Sequence, residues 1–325
     1  MRSFLCVAFV FTLLAGAALA EPLEHHAVLA WHKEMIHKPL PKTGCFTATY
    51  PRTKWVEETC APPPRPDRYG PFAPLKAATG GTPSAKVTSG LISVAIGSFD
   101  TLQLPKPNAG NTAYTLQLNS QHFDTVLCAG AKHPRRCKGW QQFVYDPTSG
   151  GYIQYWLLHY ESTCPGTWLP FNNDCFAFSK NGIPLGKEPL SELKHMSLGA
   201  AEINGKDTMA LVTPGGKIHA FSEDSVLGLA KGWQVAEFSV YGPGNGSELK
   251  FNPGATMTVR TTVYNGTEKA PVCKQELLTG ESNNLRFVPP CCSSGGRAPS
   301  VLFQLSNGPK ATFVCPGSTT GGKRK

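Results

Sequence analysis

Strict alternation of apolar and polar side chains begins after Lys86, runs almost to the C-terminus, and limits the fold more than any other feature. Successive side chains of a β-strand point to opposite faces of the sheet, so this alternation predicts strands. Turn-forming clusters separate them at 148–151, 204–205 and 215–216. The predicted strands are 87–96, 112–119, 139–146, 152–160, 207–213, 217–221, 233–241, 256–264, 300–306 and 310–315.

Many short strands with little helix between them predict an all-β fold, an antiparallel β-sandwich. Only 16% of the residues are charged, while Gly and Pro number 33 and 28. Long solvated helices need more charged residues and fewer Gly and Pro. The composition therefore excludes a coiled coil or a helical bundle.

One short helical segment is predicted before the strands, at residues 24–37. Its apolar residues lie near one stripe, and they are Val28, Leu29, Trp31 and Met35. The segment is rich in histidine, but His32 and His37 are five residues apart, which does not place two ligands on one helical face. We therefore expect packing or solvated histidines, with no metal site and no cofactor.

The N-terminus has the pattern of a secretory signal peptide. Arg2 precedes an apolar run, and the small residues of Ala18-Leu19-Ala20 precede Glu21. No later apolar stretch reaches the roughly 20 residues that span a bilayer. We expect a secreted, extracellular protein that is monomeric and free of the membrane after signal removal.

Cysteine usage fits an exported chain. Of the 11 cysteines only Cys6 lies in the signal peptide, and an even remainder favours disulfides over metal or catalytic thiols. Three pairs bracket short loops and are predicted to bond locally: Cys45 with Cys60, Cys128 with Cys137, and Cys164 with Cys175. Two further bridges join four cysteines whose pairing stays open, because two are adjacent: Cys273, Cys291, Cys292 and Cys315.

Composition divides the chain into four regions. Residues 1–20 are the signal peptide, and residues 21–85 hold the helix, one disulfide loop and a Pro-rich linker. This linker is either a wrapping arm or the boundary at which a propeptide is removed. Residues 86–316 form the predicted sandwich, and residues 317–325 form a basic, disordered tail.

The formal net charge is +9, which raises the question of nucleic acid. However, the basic residues are spread thinly along the chain and no known nucleic-acid-binding motif is present. We expect no nucleic-acid partner.

Two strand regions carry polar side chains among large aromatic ones. Glu237 and Tyr241 share one face of a predicted strand. In the hairpin 139–160, Trp140 and Gln142 share a face. A sheet that lines a cleft shows this mixture, because amides fix orientation while aromatic rings supply contact area.

The sequence GWQQFVYD at 139–146, the YIQYW that ends at Trp156, and the later Ala-Glu-Phe around Glu237 together resemble the glutamic peptidases. This group comprises the eqolisins and the neprosin-type enzymes, and the similarity covers roughly residues 110–265. In eqolisins the catalytic Gln lies fourteen residues before a Trp, which is the spacing of Gln142 and Trp156. The resemblance implies a concanavalin-like, jelly-roll type of β-sandwich.

The same resemblance implies roles for individual residues. Gln142 and Glu237 would be catalytic, and the substrate-binding residues would be Trp140, Gln154, Trp156 and Tyr241. In eqolisins the catalytic Glu stands four residues after the Glu of the Ala-Glu-aromatic motif, at the position of Tyr241. Either Glu237 has taken over as general base, or the base has been lost.

Two functions follow from these alternatives. With an active base, the chain is a glutamic-type endopeptidase that hydrolyses peptide bonds at acidic pH. Without one, it is a non-catalytic secreted β-sandwich that binds a glycan or an extended peptide in an aromatic cleft. The expected partner is therefore a polypeptide or a glycan.

Overall fold

The computed structural model describes residues 20–64, 82–105, 113–244, 246–276, 279–308 and 312–316, with the backbone alone for 20–26. The predicted signal peptide up to residue 19, most of the Pro-rich linker and the predicted basic tail lie outside these residues.

One α-helix, α1, spans Ala20–His37. Three short 3₁₀ helices span Val126–Gly130, Leu190–His195 and Leu229–Lys231. The strands are β1 Gly44–Thr49, β2 Val56–Glu58, β3 Pro83–Lys86, β4 Val94–Gln103, β5 Thr115–Ser120, β6 Lys138–Asp146, β7 Gly150–Leu158, β8 Leu169–Phe171, β9 Asp174–Phe178, β10 Ser197–Ile203, β11 Lys206–Thr213, β12 Lys217–Asp224, β13 Val235–Tyr241, β14 Glu248–Leu249, β15 Thr256–Tyr264, β16 Val272–Gln275, β17 Ser282–Asn283, β18 Arg286–Ser294 and β19 Ser300–Ser306.

Two large antiparallel sheets form the fold, which confirms the predicted all-β sandwich. The nine-stranded sheet has the order β18-β19-β15-β4-β10-β11-β12-β1-β2. The eight-stranded sheet has the order β16-β3-β13-β5-β6-β7-β9-β8. A small parallel pair, β14-β17, lies outside both.

The main core lies between the two sheets. Alternate residues of β13 enter it, and all three are fully buried: Ala236, Phe238 and Val240. The same alternation places Phe143 of β6 and Ile153 of β7 in the core. Glu237 and Gln142 therefore lie on the outer face of the eight-stranded sheet, away from the core.

Helix α1 covers the outer face of the nine-stranded sheet. Trp31, Met35 and Ile36 are buried there in a second apolar cluster. His32 is also buried and hydrogen-bonds Ser197 of β10. Burial lowers the pKa of His32 to about 3, so this imidazole is a neutral packing group.

Several predicted strand boundaries are wrong. The strand predicted at 87–96 is a loop up to residue 93, flanked by β3 and β4, because β3 begins at Pro83 and has only four residues. The described part of 310–315 contains no strand. The alternation missed β10, an uninterrupted strand of seven residues. It also missed short or interrupted strands, such as β8 with Pro170 at its centre and β18 with its Pro289-Pro290 pair.

The segment before residue 86 contributes to both sheets. Strand β1 pairs with β12 and β2, and β3 lies between β16 and β13. The predicted N-terminal segment thus supplies three strands of the sandwich.

The described residues form five disulfides. The three predicted local pairs are confirmed. The pairing left open from the sequence is Cys273 with Cys291 and Cys292 with Cys315. Five bridges fit an oxidising, extracellular environment. Among the described residues, α1 is the only α-helix, and it is not apolar enough to cross a membrane.

Candidate active site

A row of polar side chains crosses the outer face of the eight-stranded sheet. Glu237 of β13 is paired with Asn119 of β5, Asn119 with Gln142 of β6, and Gln142 with Gln154 of β7. Directly paired residues point to the same face. We call these four residues the outer polar row. Two strand spacings of about 4.8 Å separate the backbones of Gln142 and Glu237.

The outer polar row is enclosed. Glu237 has 1% of its surface exposed, and Asn119, Gln142 and Gln154 have none. Polar groups at such depth are stable only if their hydrogen bonds are made, so the partners of each one decide what it can do.

The amide of Gln142 is held on both sides. Its Nε2 donates to Oε1 of Gln117 and to Oδ1 of Asn119, each at 3.2 Å. Its Oε1 accepts a bond of 3.1 Å from Nε1 of Trp156. Both amide protons and the oxygen are therefore engaged, which fixes the orientation of the side chain.

The neighbouring Gln154 differs. Its Nε2 and Oε1 are buried, and neither has a hydrogen-bond partner among the residues that the structure describes. On the same face, Nε1 of Trp140 and Oγ of Ser239 also lack partners within the described ranges. Each such group costs free energy unless it binds something, so this face carries unused donors and acceptors.

Tyr241 occupies the position at which the resemblance to eqolisins implies a catalytic Glu, and its hydroxyl contacts Glu237, the acid of the outer polar row. Its Oη donates a 2.6 Å hydrogen bond to Oε1 of Glu237. Burial, followed by the charge of Glu237, raises the pKa of Tyr241 well above its usual value. Tyr241 is thus a permanently protonated donor that orients Glu237 rather than a replacement base.

A second buried carboxylate, Glu281, was missed by the sequence analysis. Its Oε1 accepts from the backbone N–H of Gly246 at 3.2 Å, and its Oε2 accepts from the Thr279 hydroxyl. Burial raises the pKa of Glu281, and a hydrogen bond from Gln117 opposes that rise. Its charge also raises the pKa of Tyr241. Glu281 sits in a short loop segment beside β17, where no alternation marks it.

The predicted substrate-binding tryptophans are buried in an aromatic cluster. Trp140 and Trp156 have ring centroids 6.0 Å apart, and Trp156 lies 5.4 Å from Phe176. Trp140 is 1% exposed and Trp156 is fully buried. These rings pack against one another beside Gln142, so neither presents an exposed surface on which a substrate could stack.

No model of a known protein family matches the chain, and no curated protein shows significant similarity to it. Within the described part of the chain, no group of three or more His, Cys, Asp or Glu side chains is arranged to hold a metal ion.

Proposed function

We propose that this chain is a secreted, glutamic-type endopeptidase that acts at acidic pH, with Glu237 as general base and Gln142 as oxyanion donor. One observation carries the proposal. An acid and an amide lie on the same sheet face two strands apart, and Tyr241 orients the acid. Glu281 supplies a second carboxylate near Tyr241.

In the proposed reaction, Glu237 takes a proton from a water molecule while the water oxygen attacks the peptide carbonyl carbon. The carbonyl oxygen becomes an oxyanion, and an N–H of Gln142 stabilises it. The proton on Glu237 then passes to the leaving amide nitrogen as the C–N bond breaks. The hydrogen bond from Tyr241 holds the carboxyl group of Glu237 in place during the cycle.

The engaged amide of Gln142 sets a requirement on this mechanism. One of its two protons has to leave Gln117 or Asn119 to reach the oxyanion. Gln117 also accepts a 3.4 Å bond from Asn119, so its oxygen keeps a partner after the exchange. The network therefore permits the donation without leaving that oxygen unpaired.

Gln154 and Trp140 carry polar groups without a hydrogen-bond partner among the described residues, and these favour a polypeptide as the substrate. Binding requires this face to open, because Gln154 is fully buried and Trp140 is 1% exposed. A peptide backbone offers one N–H and one C=O per residue, which match the acceptor and donor of one amide side chain. These groups lie one strand beyond Gln142 and two residues along β6, within the span of a few substrate residues.

A second candidate function is a non-catalytic binding module. The Gln142 amide makes all its hydrogen bonds within the protein, and this favours a binding module, because such an amide stabilises the fold without any catalytic role. Such a module would bind an extended peptide or a glycan through the unused groups of the same face.

Proteolysis of an unfolded, reduced and alkylated protein between pH 2 and 6 distinguishes the two functions. We expect the purified chain to cleave it and Glu237→Gln to lose about 10²-fold or more in rate, because the base is gone. Glu248→Gln, at an exposed glutamate of β14, is the matched control. Absence of cleavage by the unaltered chain throughout this range, or full activity of Glu237→Gln, contradicts the peptidase proposal.

Secretion is part of the proposal. Export of the full-length chain by a secretory host, followed by mass spectrometry of the protein in the medium, should give an N-terminus at Glu21. Retention of the full-length chain inside the cell contradicts this part.

A further inference from the structure

A second polar cluster lies on the opposite side of the eight-stranded sheet, between the two sheets. Glu202 of β10 is paired with Asp207 of β11, and Asp207 with Glu223 of β12. All three are buried, with exposed fractions of 8%, 0% and 4%. The residues two positions away along each strand, Ala200, Met209 and Phe221, lie in the main core, so the carboxylates point inward. We call these three residues the interior carboxylate row.

Tyr155 of β7 joins this row to the facing sheet. Its Oη lies 2.9 Å from Oε1 of Glu223 and 3.2 Å from Oδ2 of Asp207. A phenol has one proton, so it donates to one carboxylate at a time. A second proton between the oxygens of Tyr155 and Asp207 would satisfy both contacts.

Each carboxylate of the row also accepts a hydrogen bond from one backbone N–H group. Glu202 accepts from Ala230, Asp207 from Val226, and Glu223 from Lys180. The row thus ties two loops to the sheet.

Among the described residues, positive charge near the row is sparse. The charged and titratable groups that face the row there are Tyr155 from β7, the three acids themselves from β10, β11 and β12, and Lys180 from the loop after β9. Lys180 lowers the pKa of Glu223, but that effect is smaller than the rise caused by burial. The Gln141 amide of β6 lies beside Asp207 without ideal hydrogen-bond geometry. Three buried acids with one lysine nearby favour keeping a proton.

We infer that the interior carboxylate row and Tyr155 form a protonation-dependent clasp between the two sheets, which is strongest in acid. Protonated, Asp207 shares its proton within the cluster and the row carries less negative charge. Deprotonated, it faces Glu202 and Glu223 with like charge inside the core, and the link between the sheets weakens.

The pH range of the clasp follows from Asp207. Burial, followed by the charge of Glu202, raises the pKa of Asp207 from 3.8 to about 7. The folded protein then holds this proton more tightly than the unfolded chain. The contribution to stability is full below about pH 3.8, falls as pH rises toward 7, and is absent above it. Within that window the folding constant changes by up to about tenfold per pH unit.

Chemical denaturation of the purified chain between pH 3.5 and 8.5 tests the clasp and requires no enzymatic activity. We expect the unaltered chain to lose stability between pH 4 and 7 more steeply than Asp207→Asn, which keeps the shape and cannot titrate. Asp224→Asn, at the exposed end of β12, is the matched control and should keep the steep dependence. Parallel curves for the unaltered chain and Asp207→Asn would overturn the inference.

A direct titration covers the case in which Asp207→Asn does not fold. The carboxyl carbon of Asp207, followed by ¹³C NMR in the unaltered chain, should titrate with a midpoint between pH 6 and 8. A midpoint near 4 would overturn the inference.

Discussion

The outer polar row and the interior carboxylate row are both buried in this sandwich, but the hydrogen bonds that they form are of different kinds. In the outer row, amides donate to and accept from each other, and Gln142 makes three hydrogen bonds independently of pH. In the interior row, carboxylates can only accept when ionised, so they depend on backbone N–H groups, on Tyr155 and on retained protons. Buried amides fix an orientation, whereas buried acids make stability respond to pH.

The largest effect is expected at Gln142. Gln142→Met keeps the volume but removes two donors from Gln117 and Asn119 and the acceptor from Trp156. We expect a loss of about 2–3 kcal/mol in the free energy of unfolding, because buried partners are left unpaired. Urea denaturation at neutral pH measures it. A loss below about 0.5 kcal/mol would show that the amide network contributes little to stability, and would contradict the contrast drawn between the outer polar row and the interior carboxylate row.

A smaller effect is expected at Tyr155. Tyr155→Phe removes the hydroxyl that joins the two sheets, and we expect a loss of about 1–2 kcal/mol with the packing preserved. Tyr264→Phe, which removes a hydroxyl from outside the cluster, is the matched control. Thermal unfolding of both variants at pH 5 measures the loss of stability. Equal stability of the two variants would mean that Tyr155 does not link the sheets.

The smallest effect is expected at Gln154, next to Gln142 in the same row. Its amide makes no hydrogen bond within the part of the chain described, so Gln154→Met removes a polar group that has no partner. We expect the free energy of unfolding to be unchanged or higher by up to about 1 kcal/mol. Substrate binding should be weaker, which would appear as a raised KM. A loss as large as that of Gln142→Met would show that Gln154 is bonded as firmly as its neighbour.

The sequence predicts the parts of this molecule that depend on local periodicity. Alternation in β13 and in the β6–β7 hairpin assigned Glu237 and Gln142 to the face opposite Phe238 and Phe143. It could not say that Asn119 stands between them, because strand order is set by non-local packing.

Residues assembled from distant segments escaped the sequence analysis. Glu281 lies in a short loop, and its neighbour Gln117 comes from β5. Glu202 lies in β10, which the alternation missed, and Asp207 and Glu223 each look like an ordinary polar residue near a strand end. Only the register of three adjacent strands makes them a row.

The position of β3 between β16 and β13, one strand from the edge of the eight-stranded sheet, has a consequence for processing. A single peptide-bond cut between Pro64 and Thr82 would leave β1 and β2 paired in one sheet and β3 paired in the other. The Cys45–Cys60 bridge closes within the upstream piece, and the other four bridges close within the downstream piece. The product would be a two-chain protein that migrates as one species under native conditions and as two bands on a non-reducing denaturing gel.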